Sequence, residues 1–200
     1  MGLLEMERLV VSQKAKLVEL TNEYRIFDEE GNEAGAIREE GQTTLKKVAR
    51  FVSSLDQFMT HTYGVYEADG TRILQLTRPR KIMKSRIEVA DGGGMPVGRI
   101  VQENVVGKKR FALQGPAGEP LGAIKAENLV SWDFQVLDAD GKKVGSVNKK
   151  WAGLGKEMFT TADNYVVEID GAVSGPLRQM VVASAAGLDT ALKQDAQGFN

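Results

Sequence analysis

Apolar and polar positions alternate along most of the chain, in short runs that end on Gly-containing turns, many of them acidic. Tyr24-Arg25-Ile26-Phe27 runs into Asp28-Glu29-Glu30-Gly31, and Glu33 to Ile37 begins the return. The pattern recurs at Val65–Gly70, Ile87–Gly92, Phe111–Gly115 and Phe134–Gly141. Asp-Gly between alternating runs is a strong short-range hairpin signal. The turn glycines Gly70, Gly94, Gly118 and Gly141 lie 24, 24 and 23 residues apart, and Gly98, Gly122 and Gly145 in the return runs step by 24 and 23. A fixed period of this size means a repeated supersecondary unit, and it is too short for propeller blades of roughly 40 residues. Each unit holds two strands and two turns. Adding Arg8–Val11, Lys16–Leu20 and the strands after Phe159, including Val166–Ile169, gives about a dozen strands, enough to close a sheet and remove its edges. Thr43 to Ser53 breaks the alternation; Leu45, Val48, Phe51 and Val52 fit a short helix better than a strand.

A different period appears near the C-terminus. Pro176 to Gln194 reads as one helix, with Pro176 suited to its first position. Its middle, Met180 to Leu188, is apolar or small on every side, whereas a surface helix shows one charged face. Nine such residues fall far short of the roughly 20 that a membrane span needs. This helix belongs inside something, and Ala183, Ser184, Ala185, Ala186 and Gly187 suggest a narrow interior. The expectation is a mainly β protein: a closed antiparallel barrel of about twelve strands around a buried C-terminal helix at about 176–194, with residues 1–200 forming a single domain.

Composition narrows the function. A net charge of −1 gives no whole-protein field towards nucleic acid or anionic membrane, so any such preference must come from a local patch. The absence of cysteine excludes disulfides, thiolate metal sites and Cys nucleophiles. The opening MGLLEMERLVV has no basic region followed by a long apolar run, and Met6 stands where a myristoylation motif has Ser or Thr. The expected setting is cytoplasmic, at most peripheral at the inner membrane face.

No catalytic constellation emerges. His61 is the only histidine, which excludes a multi-histidine metal site; it reads as a strand residue with its ring hydrogen-bonded. Gly92-Gly93-Gly94 is a hairpin turn, since no Lys-Ser/Thr pair or helix follows. The polar stretch richest in chemistry is Thr77 to Arg86. Alternate residues of an extended strand share a face, so Arg78, Arg80, Lys84 and Arg86 would point together and hold phosphate groups. The competing reading is a solvated outer face paired with Glu88 and Glu103. Lys108-Lys109-Arg110 and Lys149-Lys150-Trp151 add cations and an aromatic suited to headgroup depth. Asp163, Asn164, Glu168 and Asp170 offer oxygen ligands without EF-hand spacing, and Asp163-Asn164 reads as an Asx turn.

Taken in order, LVVSQKAKLVEL, YRIFDEEGNEAG, LQLTRPRK, WDFQVLDADGKKVG, NKKWAGLGKEMFTTADNYVVEID and PLRQMVVASAAGLDTALKQ make the chain similar to the phospholipid scramblase-related family, within the wider Tubby-like and LURP-one-related group. The resemblance runs from about Glu7 to Asp195. It implies a twelve-stranded barrel around a C-terminal apolar helix. Tubby-type relatives bind phosphoinositides through a basic patch, which points to Arg78, Arg80, Lys84 and Arg86 here. The family's calcium segment opens with an acidic residue where this chain has Thr161; Asp163, Asn164 and Asp170 are what remains of it, so calcium control is not expected, nor any other cofactor. The expected function is non-enzymatic: a membrane-lipid module binding anionic phospholipid or phosphoinositide headgroups. The alternative is a protein- or DNA-binding scaffold, with net charge speaking against DNA. Phospholipid translocation ranks third, because it requires the helix to leave the barrel.

Overall fold

The computed structural model describes residues 1–13, 23–41, 60–79, 85–104, 107–128, 133–148 and 164–197, with the C-terminal helix's side chains described as far as Gly187. Twelve strands follow in order: β1 (Arg8–Gln13), β2 (Glu23–Phe27), β3 (Glu33–Glu40), β4 (His61–Glu67), β5 (Arg72–Arg78), β6 (Arg86–Asp91), β7 (Pro96–Gln102), β8 (Arg110–Gln114), β9 (Pro120–Ala126), β10 (Asp133–Asp138), β11 (Lys143–Asn148) and β12 (Asn164–Ile169). Each pairs antiparallel with its sequence neighbours, and β1 also pairs with β12, placing Val10 opposite Val166, so the sheet closes into a barrel. The helix α1 (Gly175–Gln197) follows β12. The expected Lys16–Leu20 strand and the Thr43–Ser53 helix fall outside the described residues.

Period-two alternation decides which side chains face inward. In β5 the buried row is Leu74, Leu76 and Arg78; in β6 it is Ile87 and Val89. These rows meet α1, whose residues Met180 to Gly187 are all buried. The helix packs against β7, β12, β5, β6 and β9. Its small residues answer a steric demand. A Cβ added at Gly187 would stand 2.7 Å from Ile87 Cδ1, and Ser184 Oγ donates to the Val181 carbonyl at 2.6 Å, so its hydroxyl is satisfied within the helix.

The 24-residue period has two physical causes. At each tight hairpin the turn glycine takes positive φ (Gly31, Gly70, Gly94, Gly118 and Gly141, 82° to 91°), and its N–H donates to the carbonyl three residues earlier. That geometry is a type I turn ending in a left-handed residue, and the ladder register shifts by one beside it, as between Val136 and Leu137. Four residues after most of these turns comes a second glycine, and here the constraint is contact. A Cβ at Gly35, Gly98, Gly122 or Gly145 would lie 2.2 to 2.3 Å from a carbonyl oxygen of the next strand.

The up-and-down order gives the barrel two unlike mouths. Even-numbered strands finish at one mouth, where the five tight turns, the N-terminal residues and the start of α1 gather. Odd-numbered strands finish at the other, where the longer connections begin and end.

The tight-turn mouth is closed by an N-terminal strap. Leu3 is fully buried, and its N–H donates to both Glu67 carboxylate oxygens at 3.0 and 3.1 Å. Arg178, in the first turn of α1, is also buried and donates to backbone carbonyls: to Leu4, to Met6 at 2.6 Å, to Val173 at 2.9 Å and to Asp170 at 3.5 Å. A cation in a helix's first turn opposes the macrodipole, so these oxygens are what make it tolerable there.

Candidate functional site

Carrying the inward rows of β3 to β7 one step towards the long-connection mouth replaces apolar side chains by a polar arc. Glu39, His61, Arg78, Ser85 and Gln102 lie on five successive segments of the inner wall, and each is buried. His61 Nδ1 sits 2.5 Å from Glu39 Oε1, with the two side chains 4% and 2% exposed. His61 stands opposite Arg78 in the β4–β5 ladder and stacks on Tyr63 at 6.4 Å. The Ser85 N–H donates to Gln102 Oε1 at 3.2 Å, while Gln102 Nε2 donates to the Asn104 carbonyl at 2.9 Å. Ser85 Oγ is buried without a hydrogen-bond partner among the described residues. The hydrogen-bonded ring of His61 matches the expectation for that residue; its carboxylate partner, 22 residues away, carried no sequence signal. Removing that carboxylate takes away a bond shielded from water. Glu39→Ala is expected to lower stability by about 2 kcal/mol, measured by urea unfolding with unchanged slope.

A second polar cluster lies on the outer wall. Tyr66 Oη donates to Glu40 Oε1 at 2.5 Å, and Arg72 and Gln75 converge on the same carboxylate at 3.3 Å. The bond to Glu40, with burial, raises the Tyr66 phenol above its ordinary value. Gly64 leaves room for this convergence, since a Cβ there would stand 2.4 Å from Glu40 Oε1.

The four cations expected on one face are not together. Arg78 ends β5 on the inward row and is 4% exposed, whereas Arg86 opens β6 outward with its side chain 52% exposed. The shared-face expectation treated Thr77 to Arg86 as one strand; the chain reverses between β5 and β6, and parity does not carry through a reversal. Arg80 and Lys84 lie outside the described residues. Arg86 Nε pairs with Glu88 at 2.8 Å, as the competing expectation has it, whereas Glu103 lies 3.4 Å from Arg110 Nε, a cation outside the expected four.

The oxygen ligands also separate. Asn164 is the first residue of β12, opposite Ser12 and buried; the Asx turn expected at Asp163-Asn164 begins outside the described residues. Asp170 follows the other end of the same strand, roughly 20 Å away at 3.3 Å per residue. One calcium ion cannot take both, and Asp163 lies outside the described residues. Among the described residues no group of three or more His, Asp or Glu side chains is placed to hold a metal.

What the fold does bring together among the described residues is negative charge, at one mouth. The tight-turn mouth surrounds an open cleft of about 1120 Å³ lined by Glu5, Glu7, Glu29, Glu30, Asp69 and Asp170 among other carboxylates. The cations lining it are Arg8 and Lys143, and Arg8 is already paired with Glu29 and Glu168, both at 3.2 Å. The Asp28 carboxyl at its rim is held below its ordinary value, chiefly by the Asn32 side chain. In sequence, the strand ends at the opposite mouth are joined by residues 79–84, with Arg80, Lys81 and Lys84 and no carboxylate, and by 42–59, with Lys46, Lys47 and Arg50 against Asp56; of these residues only Pro79 is described. Lys108 and Arg110 lie at this mouth too, and Lys108 Nζ donates to the Glu127 carbonyl at 2.8 Å.

Comparison with known proteins agrees with this architecture. A family model described as Scramblase matches residues 2–192. A phospholipid scramblase family protein of Schizosaccharomyces pombe is 26% identical over 92% of this chain and 52% of its own length. The protein named Altered inheritance rate of mitochondria protein 25 of Saccharomyces cerevisiae is 31% identical over 76% of this chain and 53% of its own length. This chain thus spans about half the length of these curated relatives. An X-ray structure of an Arabidopsis thaliana protein superposes with a TM-score of 0.51 at 14% identity, covering 94% of this chain and 90% of that one, a likeness of fold. No helix among the described residues is long and apolar enough to cross a membrane. With a twelve-strand barrel, a C-terminal helix buried from Met180 to Gly187 and a family match over residues 2–192, the chain belongs to the Scramblase family.

Proposed function

We propose that this scramblase-related protein is a non-enzymatic module that binds anionic phospholipid headgroups from the aqueous side. The observation that carries the reading is the sorting of charge between the mouths: one collects carboxylates around a cleft, and connections joining strands at the other carry clustered Lys and Arg. A protein of net charge −1 can still meet an anionic surface when its cations are gathered on one end. Arg80, Lys84 and Arg86 remain the proposed headgroup contacts. Arg78, buried inside the wall, is assigned to the architecture instead. Lipid translocation is not part of the reading. Withdrawing the buried segment of α1 would expose apolar area worth on the order of 10 kcal/mol at about 25 cal/mol per Å².

The test is co-sedimentation with phosphatidylcholine vesicles and with vesicles containing phosphatidylserine or a phosphoinositide, at two salt concentrations, with and without calcium. Binding is expected to anionic vesicles alone, to weaken with salt and to ignore calcium. A cation near the surface contributes about 1 kcal/mol, so replacing Arg80, Lys84 and Arg86 by Ala should weaken binding on the order of 100-fold without lowering the melting temperature. Undiminished binding of that variant removes the assignment of these residues. Absence of binding by the unaltered protein moves the scaffold reading to first place.

A further inference from the structure

We infer that a dent in the outer wall beside Arg99 is a binding site for a singly charged phosphodiester. The register places Glu88 of β6 directly opposite Arg99 of β7, in a non-hydrogen-bonded position where facing side chains come closest. Opposite charges so placed are expected to pair, yet these two do not. Glu88 turns along its own strand to Arg86 Nε at 2.8 Å, and Arg99 Nε donates to Gln114 Oε1 on β8 at 3.0 Å. Among the described residues no carboxylate pairs with the Arg99 guanidinium. The next outward row is built from small residues. Gln75 faces Ala90, Ala90 faces Pro96, and Gly115 and Pro116 follow after β8, leaving an open cavity of about 190 Å³ beside Arg99 and Thr77.

The guanidinium is held in place at this cavity. Gln114 takes one of its N–H groups, and Nη2 lies over the β8–β9 turn, 3.0 Å from where a Cβ at Gly118 would stand. A cation fixed by its neighbours and left without a counter-charge loses little freedom on binding, and its planar fork suits two oxygens of one anion. The Thr77 hydroxyl at the same cavity is a further donor. The charge balance limits what fits. Glu88 is neutralised by Arg86, while the Glu119 carboxylate folds over Gly115 at the turn and opposes a multiply charged ligand. A phosphodiester has a single negative charge, two unesterified oxygens for the fork and apolar substituents for Pro96 and Pro116. It comes as a soluble ligand or as the linkage in a phospholipid headgroup, and the site stands without the headgroup reading.

The test titrates dimethyl phosphate into isotope-labelled protein, followed by NMR at the Arg99 Nε–H and at the Thr77 and Gln114 amides. Saturable shifts confined to this dent are expected, with millimolar affinity. Arg99→Lys keeps the charge but not the fork, and should weaken binding about ten-fold at the two amides with the melting temperature unchanged. Shifts that do not saturate, that spread equally to Arg86 and Arg110, or that survive Arg99→Lys undiminished overturn the site. Acetate is the second probe, and binding as tight as that of dimethyl phosphate overturns the assignment to a phosphodiester. Co-sedimentation of Arg99→Lys with anionic vesicles separates the two sources. Binding several-fold weaker than that of the unaltered protein assigns the phosphodiester to lipid; equal binding, with dimethyl phosphate saturation intact, assigns it to a soluble ligand. Failure of the unaltered protein to bind vesicles overturns the headgroup reading and leaves this site standing.

Discussion

Arg178→Met is expected to destabilise the protein by about 3–5 kcal/mol, the range for removing one partner of a buried charged set. The guanidinium ties together three parts of the chain: the strap through Leu4 and Met6, the loop after β12 through Asp170 and Val173, and the first turn of α1. A methionine of similar length keeps the packing and leaves those carbonyls without their donor, each costing about 1–3 kcal/mol when shielded from water. For a chain of this size the loss lowers the melting temperature by about 10 °C or more, readable by circular dichroism. Arg178→Lys keeps the charge but not the planar fork, and should fall between the two. Because strap and arginine share one interaction, deleting residues 2–6 together with Arg178→Met should cost less than the sum of the separate changes. Full additivity would mean that the strap's carbonyls do not compensate this cation.

Gly122→Ala is expected to cost about 3 kcal/mol, at the upper end for inserting a methyl group into a packed site. The new Cβ would stand 2.2 Å from the Leu137 carbonyl and 3.3 Å from Asp138 Cα, and backbone paired in a ladder cannot step aside. Gly141→Ala is the informative control. There φ is 82° but nothing lies within 4 Å of an added Cβ, so only the conformational penalty of about 1–2 kcal/mol applies. Urea unfolding of both variants separates the two causes. Equal losses would show that close strand approach is not what selects glycine in the return strands.

That pair of glycines also shows what could be read in advance. The 24-residue rhythm was legible because each hairpin solves the same two local problems, a left-handed turn residue and a close carbonyl, and local problems leave marks in sequence. The core helix was legible for a related reason: a segment from Met180 to Leu188 without a polar face has nowhere to go but inside. Its observed bounds, Gly175–Gln197, extend the expected 176–194 at both ends. The site was less legible because it depends on parity across chain reversals. Arg78 and Arg86 sit eight residues apart with the spacing of a shared face, yet one points into the barrel and the other out. Glu39 and His61 touch only because β3 and β4 are neighbours in the wall. The separation of charge between the mouths is likewise invisible in a net charge of −1, and emerges once strand order assigns each connection to an end.

The pairing of β1 with β12 has a consequence for how the molecule is made. Strand β1 finds its second neighbour, β12, only after residue 169 has been synthesised, and α1 comes later still. Closure therefore depends on contacts far apart in sequence, the kind that slow folding. Until then the nascent chain is an open meander with free edges and an inner face lined by Ile37, Leu74, Ile100 and Leu113, which associates readily with other chains. Of the elements of this barrel, α1 is synthesised last and is the one that fills this surface. A chain halted before it would be a sheet without its core, exposed to aggregation and proteolysis, so the seating of α1 is what completes the barrel.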